Sequence, residues 1–378
     1  MKRRASLRAR FFGWLGRSDW EVLPWAALVL AVGFFAQWSV AGPDHLPTAH
    51  LARMAAAVAV GILAASLSSR RWRNAAWLFY AGCLILLGMV LVMGPTINNA
   101  RRWLDLGFFR LQPSEFAKLG LILALARWFS ERPRPRRLEE MVVPAALTLV
   151  PFLLVLTEPD LGTALTFGPV FLGMAWLAGT RGRVLAALLV IPVFFAPLAV
   201  LGLRDYQLER VETWWQQDQL TPEQKTDSGY HLWHAKLAVG SGGLTGYGWG
   251  QGPENRLGRL PERHNDFIFP VIAEEFGFLG AAAVLLLYAA LAGTALFAAA
   301  RHRDPFLRLV VAGVGLHFAV HLVLNVGVSL GVWPTTGLPL PLVSWGGSSM
   351  VASGLGIGLL LSASAARGAV FLARAFQD

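Results

Sequence analysis

The chain has 378 residues, 55% of them hydrophobic and only 15% charged, and a formal net charge of +10. Soluble globular domains carry about 25% charged residues, so this composition excludes an ordinary soluble protein. The basic residues cluster in short segments between apolar runs, which is typical of anchoring against anionic lipid, and no nucleic-acid partner is expected.

Ten apolar runs follow one another along the chain, and each approaches the roughly 20 residues that a membrane-spanning helix needs. They are too long for the strands of a membrane barrel, so we predict an all-α polytopic membrane protein with about ten transmembrane helices. The predicted spans are 21–40, 51–68, 74–93, 112–130, 141–157, 160–178, 183–202, 266–298, 307–333 and 346–366. The break at 157–160 would also fit a kink in one helix.

The distribution of Lys and Arg predicts the orientation independently. Of the 33 Lys and Arg residues, 20 lie in six segments that are cytoplasmic if the N-terminus is inside, namely 1–20, 69–73, 129–140, 179–183, 299–308 and 367–378. Short cytoplasmic segments are enriched in basic residues, so both termini are predicted to be cytoplasmic. The apolar run after the basic start is too long for a cleaved signal peptide and indicates a retained first helix.

Segment 203–265 separates the seventh and eighth spans and is too long for a passive connector. Its first half is polar and aromatic, with Trp214 and Trp215, which favours an extracytoplasmic segment that lies on the membrane or gates a site. No internal repeat divides the rest of the chain. We therefore expect 1–378 to form a single transmembrane domain that contains this loop.

With this topology, most of the unusual polar residues fall on the outer side. They are Asn98, Asn99, Arg101, Arg102, Gln112, Ser114, Glu115, Lys118, Glu158, Asp160, Asp266 and the Gly/Pro/Ser-rich stretch 334–349. Charged groups at a bilayer are costly unless they have a task, so Asp266, where the long loop enters a helix, is a candidate functional residue. The pattern predicts a polar cavity that faces outward.

Structural explanations remain for each of these groups. Glu115 and Lys118 could neutralise each other at i and i+3, and Arg101 and Arg102 could extend to the interface. Asp266 could be a helix N-cap, a position that Asp fills well.

Two other patterns have structural interpretations. His317, His321 and Asn325 share one helix face, and we expect hydrogen bonds between helices there, since no third metal ligand is evident. The glycines of 240–250 lack the flanking features of a phosphate loop, which favours a flexible or closely packed loop.

Several motifs occur in an order that resembles the SEDS family of bacterial cell-wall polymerases, and its RodA branch in particular. The motifs are 102–109, 112–118, 158–163, 229–231, 236–243, 260–267 and 339–349. Asn265, where the family usually has Thr, and Trp345, where Tyr is common, depart from the pattern without removing a charged group.

The resemblance implies a ten-helix peptidoglycan glycosyltransferase that joins lipid II disaccharides at the outer face of the bacterial cytoplasmic membrane. Asp266 is then the expected general base for a sugar hydroxyl, because a carboxylate can take its proton in the transition state. The expected substrate-binding residues, which include cations for the leaving pyrophosphate, are Arg101, Arg102, Glu115, Lys118, Asp160, Lys236, Arg263, His264 and Ser348.

The implied partners are a class B penicillin-binding protein, which crosslinks the strands, and other membrane proteins of the elongation complex. No metal ligand is assigned, although Asp160 or Glu158 could hold Mg²⁺ or Mn²⁺ through water. A flippase for lipid-linked precursors and a non-catalytic scaffold for the penicillin-binding protein are the alternatives. Polar residues thin out below Lys118, which disfavours a flippase, and a scaffold gives no reason for Asp266.

Overall fold

The computed structural model describes residues 21–42, 44–97, 100–107, 109–200, 205–227 and 229–375. The predicted basic start 1–20 and the polar residues Asn98 and Asn99 lie outside this part of the chain. Within it, every one of the ten predicted spans corresponds to a helix, so the protein is an all-α polytopic membrane protein.

Seven long helices precede the large loop. They are α1 (Val22–Ala41), α2 (Thr48–Ser66), α3 (Ser69–Met93), α4 (Pro113–Ser130), α5 (Val142–Thr157), α6 (Leu161–Leu177) and α7 (Gly182–Val200). The break expected at 157–160 is present, since α5 ends at Thr157 and α6 begins at Leu161. A short antiparallel hairpin, β1 (Leu104–Asp105) and β2 (Arg110–Leu111), leads into α4.

Four shorter helices form the loop, and three long helices follow it. The loop contains α8 (Asp205–Trp215), α9 (Pro222–Thr226), α10 (Tyr230–Ser241) and α11 (Pro253–Arg256), and the chain continues as α12 (Ile268–Arg301), α13 (Pro305–Ser329) and α14 (Gly347–Ala375). By length and composition alone, α1, α2, α3, α5, α12, α13 and α14 could each cross a membrane, and α6 and α7 are shorter apolar helices.

Helix α4 carries Glu115, Lys118 and Arg127, and it is nevertheless almost entirely buried inside the protein. Helices α13 and α14 are buried to a similar degree, so these three form the centre of the bundle. Ions inside a membrane protein usually face the protein interior, because lipid offers them no partners. The position of α4 therefore explains how one helix can carry these charges.

The glycine-rich segment 240–250 packs into a break in α12. Gly277 has a φ of 64°, and a Cβ there would lie 2.5 Å from the backbone of Leu244 and Gly246, so only glycine fits. The amide of Phe278 donates to the carbonyl of Gly243 at 2.8 Å. Of the two sequence-based interpretations of this segment, the closely packed loop is the correct one.

The first half of the large loop rests on the turn that follows α13. Trp214 Nε1 and Gln217 Nε2 both donate to the carbonyl of Gly331, at 2.8 and 3.0 Å, and Arg210 donates to the carbonyl of Thr335 at 3.2 Å. Helix α8 therefore lies against the stretch that precedes α14.

Candidate active site

Asp266 lies in a turn just before α12 and is half-buried. The N-cap of α12 is Phe267, without a side-chain capping bond, so the N-cap interpretation of Asp266 is wrong. Asn325 of α13 donates to the backbone carbonyl of Asp266 at 2.9 Å and to that of Leu338 at 2.7 Å. Asn325 thus ties the backbone of Asp266 to the segment around Leu338, and no helix end explains the position of Asp266.

Burial raises the pKa of Asp266 to about 7, and the negative charges of Glu262 and Asp160 also raise it. The positive charges of Arg102 and Arg210 oppose this shift. A carboxylate with a pKa near 7 is half-ionised at neutral pH, which is the range in which a general base works best.

Arg102 and Arg210 line a small cavity together with Pro159, Thr335 and Thr336. Its volume is about 10 Å³, which holds about one water molecule. Arg102 Nε donates to the carbonyl of Glu158 at 3.3 Å, and its Nη2 donates to that of Pro159. Helix α8 thus contributes Gln207, Arg210 and Val211 to the lining of the cavity beside Arg102.

Asp160 is the N-cap of α6 and joins three helices. Its carboxylate accepts hydrogen bonds from the amide and hydroxyl of Thr163, at 3.1 and 2.9 Å, and from Gln112 Nε2 at 3.2 Å. The amide of Gln112 donates in turn to Ser348 Oγ at 2.9 Å. Asp160 and Ser348, both predicted to bind substrate, are therefore linked through Gln112.

Glu158 is fully buried, and neither of its carboxyl oxygens has a hydrogen-bond partner among the described residues. Burial raises the pKa of Glu158 to about 9, and the charge of Asp160 acts in the same direction. The group is therefore neutral at pH 7. Such an uncompensated carboxyl destabilises the fold when it ionises.

Glu115 and Lys118 form the predicted pair, and both are buried inside the bundle. Lys118 Nζ lies 2.8 Å from Glu115 Oε1 and 2.9 Å from His321 Nε2. An ammonium can only donate, so Nε2 of His321 accepts and the ring proton sits on Nδ1, which faces the carbonyl of Pro339 at 3.3 Å. The predicted hydrogen bonding between helices at His321 is present.

Four of the predicted binding residues make contacts away from the carboxylate of Asp266. Arg101 is exposed and donates to Thr96 and to the carbonyl of Leu91. Lys236 donates to Gln217 at 2.9 Å. Arg263 and His264 lie in the same loop as Asp266, where Arg263 bonds to Asn255 and the His264 side chain is 44% exposed.

Two buried carboxylates of α12 hold that loop in place. Glu274 accepts the amides of Glu254 and Asn255, at 2.7 and 3.1 Å, and Glu275 accepts Asn255 Nδ2 at 2.8 Å and the hydroxyl of Ser39. Because Glu274 holds Asn255 and Asn325 holds the carbonyl of Asp266, the segment from α11 to Asp266 is fixed at both ends.

A family model described as cell cycle protein, which covers FtsW, RodA and SpoVE, matches residues 22–368. The chain belongs to this family. The resemblance to the SEDS polymerases seen in the motifs is thereby confirmed.

Other members of the FtsW/RodA/SpoVE family are similar to this chain over most of their length. The peptidoglycan glycosyltransferase MrdB of Escherichia coli K12 is 36% identical, and the alignment covers 90% of both chains. The probable peptidoglycan glycosyltransferase FtsW of Mycobacterium tuberculosis is 36% identical over 94% of this chain and 70% of its own.

Solved structures of the FtsW/RodA/SpoVE family show the same architecture. One is a chain of a peptidoglycan synthase complex whose structure concerns the coordination of polymerization and crosslinking. It has a TM-score of 0.77 and 35% identity, and the match covers 93% of this chain and 98% of that one. RodA of Thermus thermophilus has a TM-score of 0.69, 32% identity and coverage of 93% and 97%.

Sequence analysis of this family member missed two arginines. Arg210 lies in the long loop, where no local pattern indicates that α8 folds back onto Asp266. Arg53 lies inside the second predicted span. A charged residue in an apolar run indicates a functional site, so this pattern could have identified it.

The described residues do not form a protein-held cation site. They contain no group of three His, Cys, Asp or Glu side chains that could hold a metal ion. Asp160 already accepts three hydrogen bonds from Thr163 and Gln112, which leaves its carboxylate little free capacity for Mg²⁺ or Mn²⁺.

Proposed function

We propose that this chain is a peptidoglycan glycosyltransferase that polymerises lipid II into glycan strands at the outer face of the cytoplasmic membrane during cell elongation. The observation that carries the proposal is the half-buried Asp266, whose pKa is raised to about 7 by burial. The positive charges of Arg102 and Arg210 are close enough to act on its carboxylate. The activity of the 36% identical relative MrdB supports it.

The chemistry follows from these charges. The hydroxyl oxygen of the acceptor sugar attacks the anomeric carbon of the donor, and its proton passes to the Asp266 carboxylate. The bond from that carbon to the diphosphate oxygen breaks, and polyprenyl diphosphate leaves with the electron pair. Arg102, whose guanidinium can pair with two oxygens, stabilises the charge that develops there.

The roles of the predicted substrate-binding residues remain proposals, and the structure supports some of them more strongly than others. Arg102 and Asp160 act electrostatically on Asp266, and Ser348 is tied to Asp160, so these three have the strongest geometric support. Glu115 and Lys118 are buried inside the bundle, where they pair with each other. Arg101, Lys236, Arg263 and His264 contact other parts of the outer side.

We further propose that the chain acts as one domain in the inner membrane with both termini in the cytoplasm. The arginine distribution supports this orientation. Cysteine labelling of intact cells tests it, with Pro135→Cys introduced into a chain that lacks Cys83. Labelling of position 135 from outside would contradict the orientation.

A class B penicillin-binding protein and other membrane proteins of the elongation complex are the proposed partners. A similar chain lies in a peptidoglycan synthase complex that polymerises and crosslinks, which supports the first of these. The decisive experiment incubates the purified chain with lipid II, with and without that partner. We expect glycan polymer to form. Transport of lipid II between leaflets without polymer would favour a flippase. Absence of both polymer and transport would favour a scaffold.

A further inference from the structure

Arg53 lies five residues after the start of α2, and no carboxylate among the described residues forms an ion pair with it. Its Cζ atom lies 4.0 Å from the centroid of the Trp345 ring. Its Nη1 atom is buried, and within the described ranges it has no hydrogen-bond partner. At about 1.5 Å per residue, Arg53 sits roughly 7 Å below the outer end of α2, at headgroup level in the proposed orientation.

A second side chain with unmet hydrogen bonds stacks on the same tryptophan. His50, one turn before Arg53, is fully buried, and its ring lies 5.7 Å from that of Trp345 at an angle of 12°. Neither ring nitrogen of His50 has a partner in the part of the chain described. Buried polar groups are nearly always satisfied, so these two groups have unused hydrogen-bonding capacity for a ligand or water.

The N-terminus of α14 adjoins Arg53. A Cβ at Gly347 would lie 3.5 Å from Arg53 Nε and 3.3 Å from Phe109, so the first turn of α14 lies directly against the guanidinium. The first amides of a helix have no intrahelical acceptor and carry partial positive charge. In the same turn Ser349 is 5% exposed, and its hydroxyl has no partner among the described residues.

The guanidinium and the imidazole thus both contact the Trp345 ring, and the first turn of α14 lies beside the guanidinium. This combination binds phosphate groups, and no carboxylate of the described residues pairs with Arg53. The site is next to the Asp266 loop, because the amide of Trp345 donates to the carbonyl of His264 at 2.8 Å. It is therefore placed for a second lipid-linked diphosphate.

We propose that Arg53, His50 and the first turn of α14 bind the diphosphate of the acceptor lipid, which stays attached during the reaction. This assignment rests on the proposed glycosyltransferase activity. The reaction brings together two lipid diphosphates, and the leaving one must lie beside the reacting carbon, where Arg102 acts on Asp266. The acceptor's diphosphate is separated from the attacking hydroxyl by a whole disaccharide, so it needs its own site farther away.

The first test measures binding without turnover. Full-length protein carrying Asp266→Asn is incubated with lipid II, and bound lipids are counted by native mass spectrometry. We expect two lipid II sites, of which Arg53→Ala weakens one by about tenfold or more, the effect of one lost charge-assisted contact. Arg53→Lys should retain part of the affinity. If Arg53→Ala fails to fold, Arg53→Gln takes its place.

Arg132→Ala is the matched control, because Arg132 also lies over a tryptophan, 3.2 Å from the Trp128 ring, but far along the chain in a loop predicted to be cytoplasmic. It should bind lipid II normally. Unchanged binding by the Arg53 variants would overturn the proposal. Equal competition by phosphatidylglycerol in nanodiscs would also overturn it, by showing a general site for anionic lipid.

The second test separates this site from the chemistry. In chains that retain Asp266, Arg53→Ala should raise the KM for lipid II about tenfold or more and change kcat by less than about threefold, because a group bound equally in ground and transition states affects KM alone. A fall in kcat as large as that in kcat/KM would overturn the acceptor assignment. If the parent chain and its partner make no polymer while Arg53 variants still lose lipid II, the proposed activity fails and the diphosphate site stands.

Discussion

The Nε2 atom of His321 lies 2.9 Å from the Nζ atom of Lys118, although 203 residues separate the two in the chain. Together with Glu115, this contact satisfies an ammonium group that is buried at the centre of the bundle. A buried cation without acceptors is strongly unfavourable, so His321 stabilises the position of Lys118.

We expect His321→Leu to destabilise the protein by about 1–3 kcal/mol, the cost of leaving a buried donor unsatisfied. His321→Gln, which keeps an acceptor, should lose less. His317→Leu is the matched control, because His317 is equally buried and its Nδ1 has no partner within the described residues. Thermal melting in detergent measures the difference, and equal losses for the two leucine variants would contradict the assigned role of His321.

The raised pKa of Glu158 predicts how the stability of the folded protein depends on pH. Its pKa is raised by burial to about 9 from an unfolded value of about 4.3, so between these values the folded state binds more protons than the unfolded state. Stability should therefore be fully present below pH 4.3 and fall as pH rises toward 9. Glu158→Gln should remove this slope and melt higher than the parent at pH 8.

The control for this experiment is Glu139→Gln, because Glu139 is exposed. It should leave the melting temperature and its pH dependence unchanged. A Glu158→Gln protein that melts lower than the parent at pH 8 would show that the buried carboxylate has a partner and is ionised.

Local sequence patterns predict the helices of this protein and its unusual charged residues, but not the partners of those residues. Apolar runs predict all ten helices, because the length of a span is set by the bilayer. The pattern also indicates Asp266 and the Glu115–Lys118 pair, since charge is rare in such runs. The partners of these groups come from distant segments, such as His321 for Lys118 and Arg210 for Asp266, and no local periodicity encodes those pairings.

The N-cap interpretation of Asp266 failed for a related reason. The expected span began at Asp266, and Asp is favoured at helix starts. The loop is instead held by Glu274 and Asn325, so the helix starts two residues later, at Ile268. Tertiary hydrogen bonds therefore decide a boundary that propensity alone cannot.

Arg102 is expected to contribute to both binding and structure. Arg102→Ala should weaken lipid II binding or turnover by about 1.5–3 kcal/mol, the value of one charge-assisted hydrogen bond, and Arg102→Lys should restore only part of it because the planar fork is lost. Steady-state polymerisation measures both variants. Arg102 also donates to the carbonyls of Glu158 and Pro159, so melting curves must accompany the rates. Normal polymerisation by a folded Ala variant would remove Arg102 from the site.

The raised pKa of Asp266 predicts the pH profile of the reaction. A general base must be ionised, and burial places the pKa of this carboxylate at about 7. Below that value kcat/KM should rise about tenfold per pH unit, and above it the rate should level off. Arg210→Gln should move the midpoint upward, because it removes a positive charge that lowers the pKa of Asp266. A profile that is flat between pH 5 and 8 would contradict the assignment.

Replacing Asp266 by Asn tests the base directly. Asn keeps the size of the side chain but cannot accept the proton, and loss of a general base costs about 10²–10⁴ in rate. The backbone contact with Asn325 and the Phe267 cap do not involve the Asp266 side chain, so the variant should fold, bind lipid II and retain its partner. Polymer formation is followed with purified protein. Near-normal polymerisation by the folded Asn variant would exclude Asp266 as the base and reopen the flippase and scaffold alternatives.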